Sequence, residues 1–144
     1  MVVANFQNKD KMEQIIDKET AEIEVGKWLD FKKVKDVKRE SSKDTIESLI
    51  EAVQYGQLTL KDDMSWEQKL DFPIPGDEPM TTLTFKPRIT VRETHAKTKN
   101  VKAADVDGRI AALVAALTGK NTALIISLDS SDYSVSTSIA LFFL

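Results

Sequence analysis

The chain of 144 residues contains no cysteine and a single histidine, His95. Without thiols there are no disulfides, no thiolate nucleophile and no Cys-type zinc or iron–sulfur site. One histidine is too few for a multi-histidine metal centre. Glycine and proline are sparse, five and four residues, so neither a collagenous nor a low-complexity architecture fits. Long apolar runs are also missing. Ile110–Leu117 and Ile139–Leu144 fall far short of the ~20 residues needed to span a bilayer, so no membrane partner is expected. Met1–Phe6 turns charged at Lys9, Asp10 and Lys11, too early for a secretory signal. A cytoplasmic location is the expectation. Excess charge of one sign is absent too. Twenty basic and 23 acidic side chains give a net charge of −3, which argues against a dedicated nucleic-acid binder.

What remains is 42% apolar and 30% charged, enough to build a core. The first forty residues carry nine bases and nine acids and read as a charged N-terminal arm, 1–40, ahead of a domain over 41–144. Met12, Ile15, Ile16 and Glu19 have helical spacing, which predicts a short helix over Lys9–Glu22, broken at Gly26. Trp28, Phe31, Val34 and Val37 among lysines predict an extended segment. The alternative is an arm that orders only against a partner.

The domain reads as α+β. Ile46, Leu49, Ile50 and Val53 form one face of a helix over Thr45–Tyr55, with Asp44 and Glu47 spaced as a reciprocal cap, Ser41 or Ser42 as the alternative cap, and Gly56 at its end. Leu58–Leu60, a turn over Lys61–Met64, and alternating Trp66, Gln68, Leu70 and Phe72 predict a hairpin ended by Pro73 and Pro75. A third strand is expected over Thr81–Lys86, giving a small antiparallel sheet of about three strands packed against several helices. The C-terminal half is then helical. Thr90 with Glu93 marks one helix start, and Asp105 another, with Val106, Ile110, Leu113, Val114 and Leu117 as its apolar stripe up to Gly119. Asn121 caps a short helix, and Asp129 opens the last one.

Candidate chemistry is thin. His95 sits between charged neighbours Glu93 and Lys97, without an evident partner for general-base work. Asp105-x-Asp107-Gly108 has the beginning of a calcium loop, but Ala116 stands at the twelfth position, where a glutamate is required. Asp129 and Asp132 have cap spacing. Gly119-Lys120 lacks the upstream glycine of a phosphate loop, since Val114 stands there. No catalytic residue, metal ligand or cofactor site is therefore assigned, and no enzyme activity is expected. Lys32, Lys33, Lys35, Lys38 and Arg39, with Trp28 and Phe31 nearby, suit RNA, an acidic protein or simply a solvated strand face.

The second half resembles a known family. Leu83-Thr84-Phe85-Lys86-Pro87-Arg88-Ile89-Thr90-Val91 is similar to the strand-plus-cap segment of phage tail assembly chaperones. Ala111 to Gly119 resembles their alanine-rich helix ending in Leu-Thr-Gly. Leu128-Asp129-Ser130-Ser131-Asp132-Tyr133 resembles their Leu-Asp-x-x-Asp-aromatic cap, and Ile139–Leu144 their apolar final helix. The resemblance covers roughly residues 83–144 and implies a non-enzymatic assembly factor. Such proteins bind the tape measure protein in the host bacterial cytoplasm and help recruit tail tube subunits. A structural subunit of a phage particle, such as a neck, tube or decoration protein, is the alternative. The expected partner surface is Phe142, Phe143 and Leu144, with Trp28 and Phe31 next, serving tape-measure binding or self-association.

The stripe carries the first prediction. Leu113→Asp should abolish cooperative unfolding, because a buried unpaired carboxylate costs several kcal/mol against a total stability of about 5–15 kcal/mol. Circular dichroism melting checks this; an unchanged transition would place Leu113 outside the core.

Overall fold

The computed structural model describes residues 14–144. The expected α+β class is what folds: a three-stranded antiparallel sheet in the order β1-β2-β3 with helices on either side of it in the sequence. The elements are α1 (Lys18–Phe31), α2 (Asp36–Ser41), α3 (Lys43–Gln54), β1 (Leu58–Leu60), β2 (Trp66–Ile74), β3 (Met80–Phe85), α4 (Val91–Thr98), α5 (Val106–Thr118), α6 (Thr122–Ile125) and α7 (Ser130–Ala140). A 3-10 turn, Leu141–Phe143, follows α7.

The largest departure from expectation is α1. Residues 9–13 of the expected Lys9–Glu22 helix lie outside the described residues. Residues 14–17 are not helical, and the helix begins at Lys18, where Asp17 Oδ1 accepts a hydrogen bond from Thr20 N–H at 2.8 Å. It then runs through Gly26 and Trp28, not stopping at the glycine, and Trp28–Phe31 is helical, not extended. The reason is a stripe that outweighs the local cost of about 1 kcal/mol for a mid-helix glycine. Ala21, Val25, Trp28 and Leu29 fall at i, i+4, i+7 and i+8, and all four are buried. The stretch of the charged arm over 18–31 is thus core, packed on α3 and β1. Ile23, on the same helix, is exposed.

Val37 lies in α2 and is exposed, so the β-branched pair Val34 and Val37 does not make a strand. A single residue, Ser42, separates α2 from α3, its N–H donating to Lys38 O and its carbonyl accepting from Ile46 N–H. The expected Asp44–Glu47 cap does not form: Ser42 stands at the N-cap position without a side-chain bond to the helix, and the Glu47 carboxylate instead meets Lys18 Nζ at 3.2 Å. Gly56 closes α3 with φ 77°, a conformation in which a side chain would be strained.

Strand pairing follows the expected hairpin, with Leu58 opposite Gln68 and Trp66 opposite Phe85. Alternation holds through Leu70 and then fails: Phe72 is 58% exposed. Between the pairs Lys69–Thr82 and Ile74–Met80, β2 spends four residues where β3 spends one. This wide bulge carries Phe72 off the buried face and lets the strand pass Pro73.

Asp132 explains the bulge. It is 1% exposed, and its carboxylate accepts from the backbone N–H groups of Asp71 and Phe72, both at 2.9 Å. Two consecutive strand N–H groups point to one side only where the pleat is broken. Asp132 is therefore not the helix cap expected of it; Asp129 alone caps α7, accepting from Ser131 N–H at 3.0 Å. Beside it, Gln68 Nε2 donates to Asp132 O at 2.8 Å and Ser136 Oγ donates to Gln68 Oε1 at 2.6 Å, all buried.

Helix α5 packs between α4, α7 and β3. Every residue from Ala111 to Leu117 is buried, so the alanines serve close approach on several sides as well as helix propensity. Val106, expected at the head of the stripe, is 62% exposed. Among the described residues, no helix is long and apolar enough to cross a membrane.

Asp132→Ala should destabilise the protein by about 2–3 kcal/mol, because two charge-assisted bonds to strand N–H groups vanish together. Asp132→Asn, which keeps one acceptor oxygen, should lose less. Urea midpoints of the two variants check this, and equal small losses would mean water replaces the carboxylate.

Candidate functional site

The five residues expected to bind a partner separate into two groups. Trp28 is fully buried, and Phe142 nearly so. Trp28 meets Trp66 edge-on at 5.7 Å between ring centroids and Phe142 at 5.6 Å. Neither indole N–H of Trp28 or Trp66 has a hydrogen-bond partner among the described residues. An unpaired donor costs about 1–3 kcal/mol, and each edge-to-face pair returns about 0.5–1.5 kcal/mol beyond the area it buries. These two residues are core, a correction to their expected place on the binding surface. Phe31 and Phe143 are half-buried and Leu144 is 75% exposed. They sit where α1, the β3–α4 connection and the C-terminal turn meet.

There the surface opens into a cleft of about 240 Å³ lined by Phe31, Lys32, Lys33, Arg88, Ile89 and Phe143. A shallower groove of about 550 Å³ adjoins it, sharing Lys32, Ile89 and Phe143 and running along α4 past Thr94 and His95 to Arg109 and Leu144. Lys32 is central to both. Its Nζ lies 3.4 Å from the centroid of the Phe143 ring and 5.7 Å from that of Trp28, within cation–π range. Burial first, and the positive charge of Arg88 second, pull its pKa down to about 8.

Local geometry puts Lys33 on the rim. Helix α1 ends with Val34 N–H donating to Leu29 O and Lys33 N–H to Asp30 O, a C-terminal motif whose closing residue takes a left-handed conformation. That residue is Lys33, φ 58°, where glycine is the usual occupant.

The other basic residues of the cluster go elsewhere. Arg39 is held by Asp30 at 2.8 Å and donates to Val34 O, while Lys35 precedes α2 as its N-cap residue. The cluster is therefore a helix end and a turn, not a strand face. Arg88 and Arg109, which complete the cationic lining, carry no signal in the sequence. They are 56 and 77 residues beyond Lys32, and only the fold brings them to it.

The remaining candidates have structural settings. Asp105 Oδ1 accepts from Gly108 N–H at 2.9 Å and caps α5, and a Cβ at position 108 would collide with that carboxylate. The Asp129 carboxyl is held below its usual range by hydrogen bonds from Ser131. Gly119 closes α5 with φ 70°. His95 is exposed on the groove wall. Among the described residues no three His, Asp or Glu side chains are grouped so as to hold a metal ion.

No family model, curated protein or solved structure matches this chain.

The Lys32 environment predicts a pH dependence. Below pH 8 the amine is protonated folded and unfolded alike, and stability does not respond to it. Between about 8 and the ordinary value of 10.5, the unfolded chain holds the extra proton, so stability rises with pH. The stability of the native protein minus that of Lys32→Met should be flat below pH 8 and climb above it. Denaturation curves across that range check this; a flat difference throughout would mean the amine is solvated.

Proposed function

We propose that this protein is a non-enzymatic tail assembly chaperone of a bacteriophage or prophage. It binds the tape measure protein in the host bacterial cytoplasm and helps recruit tail tube subunits. The resemblance over residues 83–144 suggests this reading. The observation that supports it is the composition of the cleft. Two of the resembling segments, Leu83–Val91 and Ile139–Leu144, lie far apart in sequence, yet they meet there through Arg88, Ile89 and Phe143. The contact surface is the cleft and its groove, with Phe31, Phe143 and Leu144 as its apolar contacts. Such a surface suits recognition of a helical segment laid into a groove.

Because Phe142 is core, truncating the last three residues would confuse unfolding with lost binding. The double variant Phe143→Ser, Leu144→Ser keeps Phe142 in place. Co-expressed with the tape measure protein, the native chain should co-purify with it, and the double variant should lose most of that capture while melting cooperatively. Finished phage particles should lack the protein by mass spectrometry. A stoichiometric band in particles would instead favour a structural subunit of the virion.

A further inference from the structure

The cleft has one chemical property that its surroundings leave uncompensated. Lys32, Lys33 and Arg88 line it, Arg109 lines the adjoining groove, and no aspartate or glutamate lines either hollow. None of the four cations makes an ion pair with a described residue, although Lys86, nearby in sequence, is paired with Glu93 at 3.5 Å. Between the cations the walls are apolar, formed by Phe31, Ile89 and Phe143. Lys32 is half-buried against an aromatic ring, where a charge keeps only part of its hydration. Lys33 holds a left-handed backbone conformation that glycine adopts without strain, and in doing so adds a cation at the rim.

We propose that this cleft receives an acidic, amphipathic peptide segment of a partner protein. Its carboxylates lie against Lys32, Lys33, Arg88 and Arg109, and its apolar residues against Phe31, Ile89 and Phe143. The inference rests on the reading above only for the identity of the protein that carries the segment. Charge complementarity selects the occupant. Carboxylates closing over these cations form charge-assisted hydrogen bonds where water is partly excluded. The apolar walls match the other face of such a segment. A nucleic acid fits less well. The whole molecule carries a net charge of −3, which repels a polyanion beyond the cleft, and backbone phosphates offer nothing to the apolar walls.

The test uses the full chain and three probes. Two are synthetic amphipathic helices with the same leucine and phenylalanine face, one with a glutamate polar face and one with a lysine polar face. The third is a single-stranded oligothymidine. The glutamate peptide should bind, with NMR shifts concentrated at Lys32, Arg88, Arg109 and Phe143. Binding should weaken as salt is raised. The double charge reversal Arg88→Glu, Arg109→Glu should weaken binding by roughly tenfold or more while melting stays cooperative. Lys33→Gly should raise the melting temperature and still weaken binding, a combination that a purely structural lysine would not produce. Failure of the glutamate peptide to bind, equal affinity for the lysine peptide, tighter binding of the oligothymidine, or indifference to charge reversal would each overturn the inference. If charge-reversed protein still captures the tape measure protein, the cleft inference falls and the chaperone reading stands. If the native chain binds the glutamate peptide but captures no tape measure protein, the reverse holds.

Discussion

Asp132 ties the first turn of α7 to the far end of β2, and the position of the C-terminal aromatic residues follows from that tie. Its carboxylate takes the Asp71 and Phe72 N–H groups at the bulge, and Gln68 and Ser136 add a second, buried connection between the same two elements. Buried polar groups of this kind are costly unless every partner is in place, so they specify one docking geometry where apolar packing alone would tolerate several. With α7 held against β2, Ile139 and Phe142 reach the core, and Phe142 meets the Trp28 ring. The next residue, Phe143, is then placed over Lys32.

The cleft is thus a by-product of core packing that acquires its own chemistry. Trp28 on α1 and Lys32, the residue that caps the end of that helix, are four residues apart, Trp28 facing inward and Lys32 reaching across the helix end. Burying Trp28 obliges the Lys32 amine to sit among aromatic rings, and the chain leaving β3 adds Arg88 to the same place. The result concentrates positive charge on an acidic protein. Local charge pattern and net charge carry different information. The total governs long-range attraction, and the pattern governs what docks at short range.

Several elements were legible because their signals are local. The helix expected over Thr45–Tyr55 and found at Lys43–Gln54, the β1–β2 hairpin and the caps at Thr90, Asp105, Asn121 and Asp129 all follow from residues within one turn or one strand of each other. The misreadings share a physical cause. Gly26 breaks a helix judged by propensity, but Ala21, Val25, Trp28 and Leu29 bury enough surface to carry the helix through it. Phe72 belongs to the inner face by alternation, but a carboxylate sixty residues away draws two successive N–H groups to one side and turns the strand. Asp132 has the spacing of a cap and serves as a substitute for a missing strand. Of the expected contact residues, Phe31, Phe143 and Leu144 line the cleft and its groove, whereas Trp28 and Phe142 pack against each other in the core.

The sequence by itself determined the α+β class, the small three-stranded antiparallel sheet, the helix starts after Thr90, Asp105, Asn121 and Asp129, and the absence of thiol chemistry. Each depends on periodicity, capping or composition, which act over a few residues. Only the tertiary structure decided that the charged arm contributes a core helix over 18–31, that Asp132 faces a strand, and that Arg88 and Arg109 join Lys32 and Lys33 around one cleft. Those outcomes depend on which distant surfaces are buried together. Burial energy is non-directional and belongs to pairs of surfaces, so no single segment of the chain encodes it.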